Sequence, residues 1–454
     1  MIKYELKPTD KNIRETLLND SLGRNTGIAS FIELLNTIDD NSVIAIDDAW
    51  GNGKTFFVKQ IQLTLKSYCS STEEADSIKK CVPVKMKGDN PIYFIPIYYD
   101  AWVNDNDNDP ILSIVNWMLR DLVALKDFEV SNHDWIKTLI VSVDLIIKAV
   151  SGVQIKDFLT TLRSDDPLSE IKKQKKLDEL LSELFDELLK SCKNDTRIVF
   201  FVDELDRCRP DFAVKVLERI KHYFYHEKVI FVISTNIKEL QHTIRRYYGD
   251  GFDACKYLTR FFDITITLPL PNYQRYYEML KFTNHSHIRA NITYFMIKYY
   301  NFSLRDITRF LQSLRIAVPE KYRGWDYDDV SIFYMEILVP FLLGLKIHNV
   351  NQYEDFIRGD NAAPFVELMQ AGDVDRYCGV FLDKNETFDN DSNGKKFVSL
   401  KSRFDLFYKA FFGLDSRGAD DPVEIRIGKN RFLSYDKKRW IMDAMSLFYS
   451  SNNY

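Results

Sequence analysis

Five consecutive residues, Gly51-Asn52-Gly53-Lys54-Thr55, have the types and spacing that bind a polyphosphate. Glycines allow backbone N–H groups to turn inward around dense negative charge without a bulky side chain in the way. A helix starting near Lys54 would add the positive end of its dipole. Lys54 would contact the β and γ phosphates, and the Thr55 hydroxyl would bind magnesium. A Gly-rich turn that binds nothing is the alternative.

One position in this loop departs from the usual pattern, which has a glycine five places before Gly53. Asp48 occupies that place. Aspartate tolerates unusual backbone angles better than most residues, but its charge must point away from bound phosphates. We expect this departure to affect the tightness of binding rather than the fold.

A second candidate feature is the apolar run 198–202, which ends in Asp203 and Glu204. A buried strand of this kind delivers a carboxylate to the same end of a parallel sheet as the phosphate-binding loop. Asp203 would then hold magnesium directly or through water, and Glu204 would act as general base on an attacking water. Two acidic residues that only cap a strand are the alternative.

A polar group also follows the predicted fourth strand, at Ser234-Thr235-Asn236. Asn236 is our candidate for a residue that senses the γ-phosphate and orients the attacking water. A cap that ends the strand and starts a turn would use the same residue type.

The elements that must position these residues alternate between strand and helix up to about residue 268. Such alternation predicts right-handed βαβ crossovers and an α/β fold with a mostly parallel sheet flanked by helices. The predicted strands are 42–46, 92–98, 197–202, 229–234 and 262–267, and the main predicted helices are 54–68, 110–125, 177–192 and 210–224.

The chain length of 454 residues favours two or three domains. We place a boundary near Leu270, after which residues 271–454 are predicted to be mainly helical. Residues 1–270 would form the nucleotide-binding domain, with a helical insertion at about 126–176. The polar stretch 70–90 is predicted to loop outward.

Charge and cysteine usage narrow the function further. A net charge of -5 argues against a surface that is basic throughout. None of the six cysteines belongs to a CxxC pair, and no cluster of histidines lies near them in the sequence. This pattern favours reduced thiols in a cytoplasmic protein. Residues 135–155 are apolar but carry Lys137, Asp144 and Lys148 on one helical face. We therefore predict an amphipathic helix packed on protein there and no membrane association.

Several of these segments together resemble the KAP family of P-loop NTPases. The resemblance covers roughly residues 20–315, and the tryptophan in the phosphate loop is specific when combined with the Asp-Leu-Asp-Arg-Cys-like run. The resembling segments are Ala49-Trp50-Gly51-Asn52-Gly53-Lys54-Thr55, Tyr99-Asp100-Ala101-Trp102 with Asp109-Pro110 following, Val202-Asp203-Glu204-Leu205-Asp206-Arg207-Cys208, Tyr257-Leu258-Thr259-Arg260-Phe261-Phe262 and, more weakly, Leu304-Arg305-Asp306-Ile307-Thr308-Arg309.

The resemblance implies an ATP- and Mg²⁺-dependent hydrolase whose cycle drives a conformational or assembly switch, and soluble bacterial members are similar to components of antiviral defence operons. Trp50 would belong to the nucleotide-binding loop. Arg260 stands where the family often has lysine, and we expect it to reach the γ-phosphate of a neighbouring subunit in a homo-oligomer. Pairing of Arg260 with Asp253 or Asp263 on its own chain is the alternative.

A nucleotide-binding scaffold with little turnover is the competing function, in which the C-terminal half recruits a protein or nucleic-acid partner. Protein partners encoded in the same operon fit either function. Nucleic-acid binding would use a basic and aromatic cluster near the C-terminus, and a solvated amphipathic helix end is the favoured alternative. The cluster comprises Arg426, Lys429, Arg431, Phe432, Tyr435, Lys437, Lys438, Arg439 and Trp440.

Overall fold

The computed structural model divides the chain into two compact units, one formed by residues 7–279 and the other by residues 280–454 with the first six residues. The division falls after residue 279, whereas the domain boundary near Leu270 stays a prediction. The structure describes residues 6–85, 93–107, 109–124, 169–190, 192, 195–282, 287–317, 333–371, 374–381, 400–412, 425–428 and 431–433.

The first unit is built on a five-stranded parallel sheet in the order β2-β3-β4-β1-β5. All five predicted strands are present, and the α/β fold is confirmed. β3 and β4 are buried along their whole length, as expected for central strands covered on both faces. The strands are β1 (Ser42–Asp47), β2 (Tyr93–Asp100), β3 (Thr196–Asp203), β4 (Val229–Thr235) and β5 (Ile264–Thr267).

Helices cover both faces of this sheet because alternate strand residues point to opposite sides. Phe200 and Phe231 stack on one face with their ring centroids 4.8 Å apart, and Val199 and Val232 lie on the other. One face packs against α5 (Pro110–Ala124), α6 (Ser169–Lys190), α7 (Pro210–Tyr223), α8 (Ile237–Tyr248) and α9 (Ala254–Leu258). The other packs against α1 (Asp10–Leu18), α2 (Asn25–Leu35), α3 (Lys54–Tyr68) and α4 (Glu73–Cys81), and α10 (Tyr273–Met279) ends the unit.

Two local predictions need correction or qualification. The stretch 70–90 is not simply an outward loop, since it contains α4, which Thr72 caps and which buries Ala75 and Ile78. Helix α6 begins at Ser169, so residues 169–176, the last part of the predicted insertion, belong to this helix. Residues 126–168, including the segment with Lys137, Asp144 and Lys148, lie outside the described residues.

The second unit is mainly helical where the structure describes it, and its core is rich in aromatic rings. Phe341, Phe356 and Phe365 are each fully buried, and Phe365 stacks on Phe404 with centroids 4.2 Å apart. Its helices are α11 (His287–Tyr299), α12 (Leu304–Ala317), a π-helical turn (Tyr334–Leu338), α13 (Val339–His348), α14 (Val350–Arg358), α15 (Ala363–Gln370), α16 (Val374–Phe381) and α17 (Leu400–Phe412).

The start of the C-terminal basic cluster is a β-hairpin rather than the predicted helix end. Strands β6 (Ile425–Gly428) and β7 (Arg431–Leu433) pair antiparallel, which places Arg426 opposite Phe432. The rest of the cluster, Lys429 and residues 435–440, lies outside the described residues. Across the residues that are described, no helix combines the length and the apolar character needed to cross a bilayer.

Candidate functional site

The phosphate loop, residues 48–55, connects β1 to α3 and has the backbone that its glycines predict. Gly51 and Gly53 have φ angles of 88° and 87°, in the left-handed region that only glycine enters without strain. Gly53 occupies the N-cap position of α3, and no side chain caps the helix there. The first-turn N–H groups of α3 therefore have no side-chain acceptor and form a favourable environment for an anion.

Lys54 folds back over this loop. Its Nζ donates to the carbonyl oxygens of Asp48 at 2.6 Å and Ala49 at 3.2 Å. Burial lowers the pKa of Lys54, and nearby carboxylates oppose that shift. The ammonium group is thus held beside the loop, where a phosphate could replace the carbonyl oxygens as its partner. The opposing carboxylates are Asp206, Asp203, Asp48 and Asp47.

Asp48 is accommodated in place of glycine by hydrogen bonds inside the loop. Its Oδ1 accepts from the Ala49 N–H at 2.7 Å and from Nδ2 of Asn52 at 2.7 Å. The Asp48 side chain therefore stabilises the turn of the phosphate loop.

Asp203 ends β3 and is almost completely buried, with 1% of its surface exposed. Its Oδ2 accepts a hydrogen bond from the Tyr98 hydroxyl at 3.0 Å, and its Oδ1 accepts from the Glu204 N–H at 3.0 Å. Burial raises the pKa of Asp203, whereas the neighbouring hydroxyl groups of Ser234, Thr55 and Tyr98 lower it. The structure thus brings together Thr55 and Asp203, the two residues predicted to hold magnesium.

Glu204 has a φ of 60°, an uncommon left-handed conformation for a non-glycine residue. Its Oε1 lies 3.0 Å from an Arg207 guanidinium nitrogen, and that guanidinium lies 5.4 Å from the Trp102 ring centroid. Burial raises the pKa of Glu204 to about 7, Arg207 opposes the rise, and Asp203 adds to it. A carboxyl group in this range can exchange a proton near neutral pH.

Trp50 and Thr235 are joined through Asp206, a residue that we did not select from the sequence. The Trp50 indole N–H donates to Oδ2 of Asp206, and the Thr235 hydroxyl donates to Oδ1 at 3.1 Å. Asp206 therefore connects the phosphate loop to the end of β4. The sequence feature that could have identified Asp206 is its position in the Asp-Leu-Asp-Arg-Cys-like run.

Asn236 lies next to these residues but uses its side-chain oxygen in a local role. Oδ1 accepts from the Lys238 N–H at 3.2 Å and from the Glu239 N–H at 3.5 Å, so Asn236 is the N-cap of α8. Asn236 therefore has a capping role, as in the alternative to γ-phosphate sensing that the sequence left open. A role for Asn236 in sensing the γ-phosphate stays a prediction.

Arg260 is exposed between α9 and β5. Neither proposed same-chain partner is paired with it in the part of the chain that the structure describes. The Asp253 carboxylate accepts from the Lys256 N–H at 2.9 Å, and Asp263 accepts from the Val43 N–H at 2.8 Å. Among the described residues, no hydrogen bond or ion pair joins the Arg260 side chain to the phosphate loop. Its action on a neighbouring subunit stays a prediction.

Tyr98 is a further site residue that the sequence did not single out. It lies in β2 among apolar residues, where a tyrosine is ordinary core material. Besides its hydrogen bond to Asp203, its ring lies 4.6 Å from the Lys59 ammonium of α3. Tyr98 thereby links the strand next to β3 with the helix that follows the phosphate loop.

A parallel sheet with a glycine-containing loop after β1 and an acidic pair after β3 defines the fold of the P-loop NTPases. The KAP family P-loop domain matches residues 24–320, which is more than half of the chain, and the chain therefore belongs to the KAP family. No curated protein matches it.

Proposed function

We propose that this protein binds ATP with magnesium, hydrolyses it and uses the cycle to drive a conformational or assembly switch. The observation that carries the proposal is the meeting of Thr55 with the buried carboxylate of Asp203, next to the phosphate loop. Lys54 lies in the same loop, and Glu204 follows Asp203 directly. Binding, metal coordination and proton transfer would therefore occur at one edge of the sheet.

The residues present fit a magnesium ion. Asp203 is a buried carboxyl group that forms no salt bridge with another described side chain, and the Lys54 ammonium interacts with it only at longer range. Burial without a direct cationic partner raises its pKa, and a bound cation would offset that cost. Asp203 and Thr55 would hold the ion through oxygen atoms, which Mg²⁺ prefers. When bound, the ion would neutralise charge on the β and γ phosphates.

The described residues do not form a metal site by themselves, since they contain no group of three or more His, Cys, Asp or Glu side chains arranged to hold a metal. Magnesium sites commonly use one or two protein oxygens and complete their coordination with phosphates and water. We therefore expect metal binding to depend on the nucleotide.

The remaining residues take roles around the γ-phosphate. Glu204 would accept a proton from the attacking water, and the amide of Asn236 would orient that water. Arg260 from a neighbouring chain would stabilise charge on the γ-phosphate, which makes hydrolysis depend on self-association. Arginine residues supplied in this way accelerate related reactions by about 10³ to 10⁵.

A nucleotide-binding scaffold with little turnover is the second candidate. The ion pair between Glu204 and Arg207 favours it, because a carboxylate bonded to a guanidinium is less available as a base. In this case the bound nucleotide would stabilise one conformation that recruits a protein or nucleic-acid partner. Family resemblance supports a cytoplasmic protein that acts with partners from the same operon, in bacterial antiphage defence.

Phosphate release separates the two candidates. The purified chain would be incubated with ATP in the presence of Mg²⁺, and in parallel after chelation of the metal, while ATP binding is followed separately. Turnover that requires Mg²⁺ supports the hydrolase. Tight ATP binding without turnover, also when DNA, RNA or candidate protein partners are added, supports the scaffold. The absence of ATP binding would contradict both.

A further inference from the structure

Arg24 is a buried arginine that the proposed roles leave unexplained. It precedes α2, has 2% of its surface exposed and lies far in sequence from the phosphate loop. Burial lowers the pKa of Arg24 to about 10, and Asp48 opposes the shift, so the guanidinium remains charged at neutral pH. A buried charge of this kind is stable only when its donors are satisfied.

The Arg24 donors bind two backbone carbonyl oxygens from distant parts of the first unit. One guanidinium nitrogen donates to the Asn52 carbonyl at 2.8 Å, and Nε donates to the Pro269 carbonyl at 2.7 Å. Asn52 belongs to the phosphate loop, and Pro269 follows β5. The Arg24 side chain thus connects the phosphate loop to the segment that follows β5.

The bond to Asn52 also fixes the direction of the next N–H group. A trans peptide is planar, and its C=O and N–H point in opposite directions. Since the Asn52 carbonyl points toward Arg24, the Gly53 N–H points away from it. The Asn52 side chain is held at the same time by Asp48. Rotation of the peptide group would break the Arg24 bond to the Asn52 carbonyl.

The other end of the connection is tightly packed. A Cβ added to Gly27 would lie 2.5 Å from Cγ of Pro269, and one added to Gly23 would lie 2.7 Å from Cβ of Asn272. The Asn272 N–H donates to the Leu22 carbonyl at 2.7 Å. The segment around Pro269 and Asn272, which accepts the Nε bond, is therefore held by packing and by a backbone hydrogen bond.

We propose that Arg24 is a positioning residue of the phosphate loop, which holds the Asn52–Gly53 peptide so that the Gly53 N–H faces the phosphates and anchors the loop to Pro269. This inference rests on the proposed nucleotide site. It adds a residue outside the loop that sets its geometry, and it connects nucleotide occupancy to the segment after β5.

Two substitutions of Arg24 and one matched control test the proposal. Arg24→Gln removes the charge and cannot reach both carbonyls, and Arg24→Lys keeps the charge but has a single ammonium group in place of the forked guanidinium. Arg275→Ala is the control, because Arg275 pairs with Asp20 and fastens the same segment at the surface without contacting the loop. Circular dichroism establishes which variants fold.

Hydrogen–deuterium exchange of the nucleotide-free chain and titration with ATP and Mg²⁺ are then measured for each folded variant. We expect both Arg24 variants to exchange faster over residues 49–56 and to bind ATP about tenfold or more weakly, since a charge-assisted hydrogen bond is lost. Arg275→Ala should match the wild type in loop exchange and in ATP affinity.

The results distinguish failure of this inference from failure of the proposed function. Loop exchange and ATP affinity that are unchanged in Arg24→Lys, or changed equally in Arg275→Ala, would overturn the role of Arg24 while leaving the nucleotide site intact. If the wild-type chain binds no ATP, the proposed function is contradicted. If Arg24→Lys still speeds hydrogen exchange of the loop in that case, Arg24 remains the residue that holds the loop.

Discussion

The Tyr98 hydroxyl donates a hydrogen bond to Oδ2 of Asp203 over 3.0 Å. Asp203 ends β3, and Tyr98 lies near the carboxyl-terminal end of the adjacent parallel strand β2. The bond orients a carboxylate that is buried and has no ion-pair partner among the described side chains. Groups that orient metal-binding carboxylates contribute strongly to metal affinity. Tyr98 therefore connects the core of the sheet with the proposed magnesium site.

Replacing Tyr98 with phenylalanine should raise the Mg²⁺ concentration needed for half-maximal phosphate release by about tenfold, because Asp203 loses the donor that orients it. Tyr99→Phe is the matched control, since the neighbouring hydroxyl bonds to Oγ of Ser113 at 2.9 Å instead. Magnesium titrations at saturating ATP compare the two. Equal metal requirements in both variants would show that the Tyr98 bond has no role at the site.

Lys54→Ala should reduce ATP binding below detection, because the loop loses the cation that contacts the β and γ phosphates. Lys66→Ala, in the last turn of the same helix, removes the same charge away from the loop and should bind ATP like the wild type. Equilibrium titration with a fluorescent ATP analogue measures both. Unchanged affinity in Lys54→Ala would remove the basis for assigning the site.

Gly27→Ala should destabilise the first unit by about 1–3 kcal/mol, because the new methyl group would overlap the Pro269 ring in a packed region. Alanine is otherwise the better helix former, so propensity alone predicts the opposite sign. Gly251→Ala is the control, since no atom lies within 4 Å of the added Cβ. Thermal denaturation should show a lower Tm for Gly27→Ala alone, and an unchanged Tm would contradict the packing described around Arg24.

Mixing two inactive variants tests whether Arg260 acts on a neighbouring chain. An Arg260→Ala chain and a Lys54→Ala chain should each be inactive alone and should regain part of the activity together, since one mixed interface contains an intact loop and an intact arginine. Phosphate release is measured alongside association by light scattering. A mixture that associates but stays as inactive as its components would rule out the action in trans.

Much of the fold could be predicted from the sequence, because central parallel strands are buried on both faces and appear as short apolar runs. The proximity of Thr55 and Asp203 followed from the same reasoning. Parallel strands have their carboxyl ends at the same edge of the sheet, so the residues that follow β1 and those that end β3 lie close together. The helix within residues 70–90 was missed because it is polar and buries little more than Ala75 and Ile78.

The residues that support the site could not be found in this way, since their roles depend on contacts between distant parts of the chain. Arg24 bonds to Pro269, 245 positions away, and a lone arginine before a helix carries no local sign of that partner. Tyr98 has the residue type of an ordinary strand position. Asp206 was visible within a motif, but its bond to Trp50 required the folded loop.

The central claim, that Glu204 is the base of a magnesium-dependent ATPase, is tested most directly by single-site replacement. Steady-state phosphate release and ATP affinity would be measured for the wild type, Glu204→Gln and the control Glu183→Gln, which changes an exposed glutamate of α6. We predict that Glu204→Gln binds ATP like the wild type and loses about 10²- to 10⁴-fold in turnover, because the amide cannot accept the proton of water. Wild-type turnover in Glu204→Gln, with Glu183→Gln also unaffected, would contradict the account.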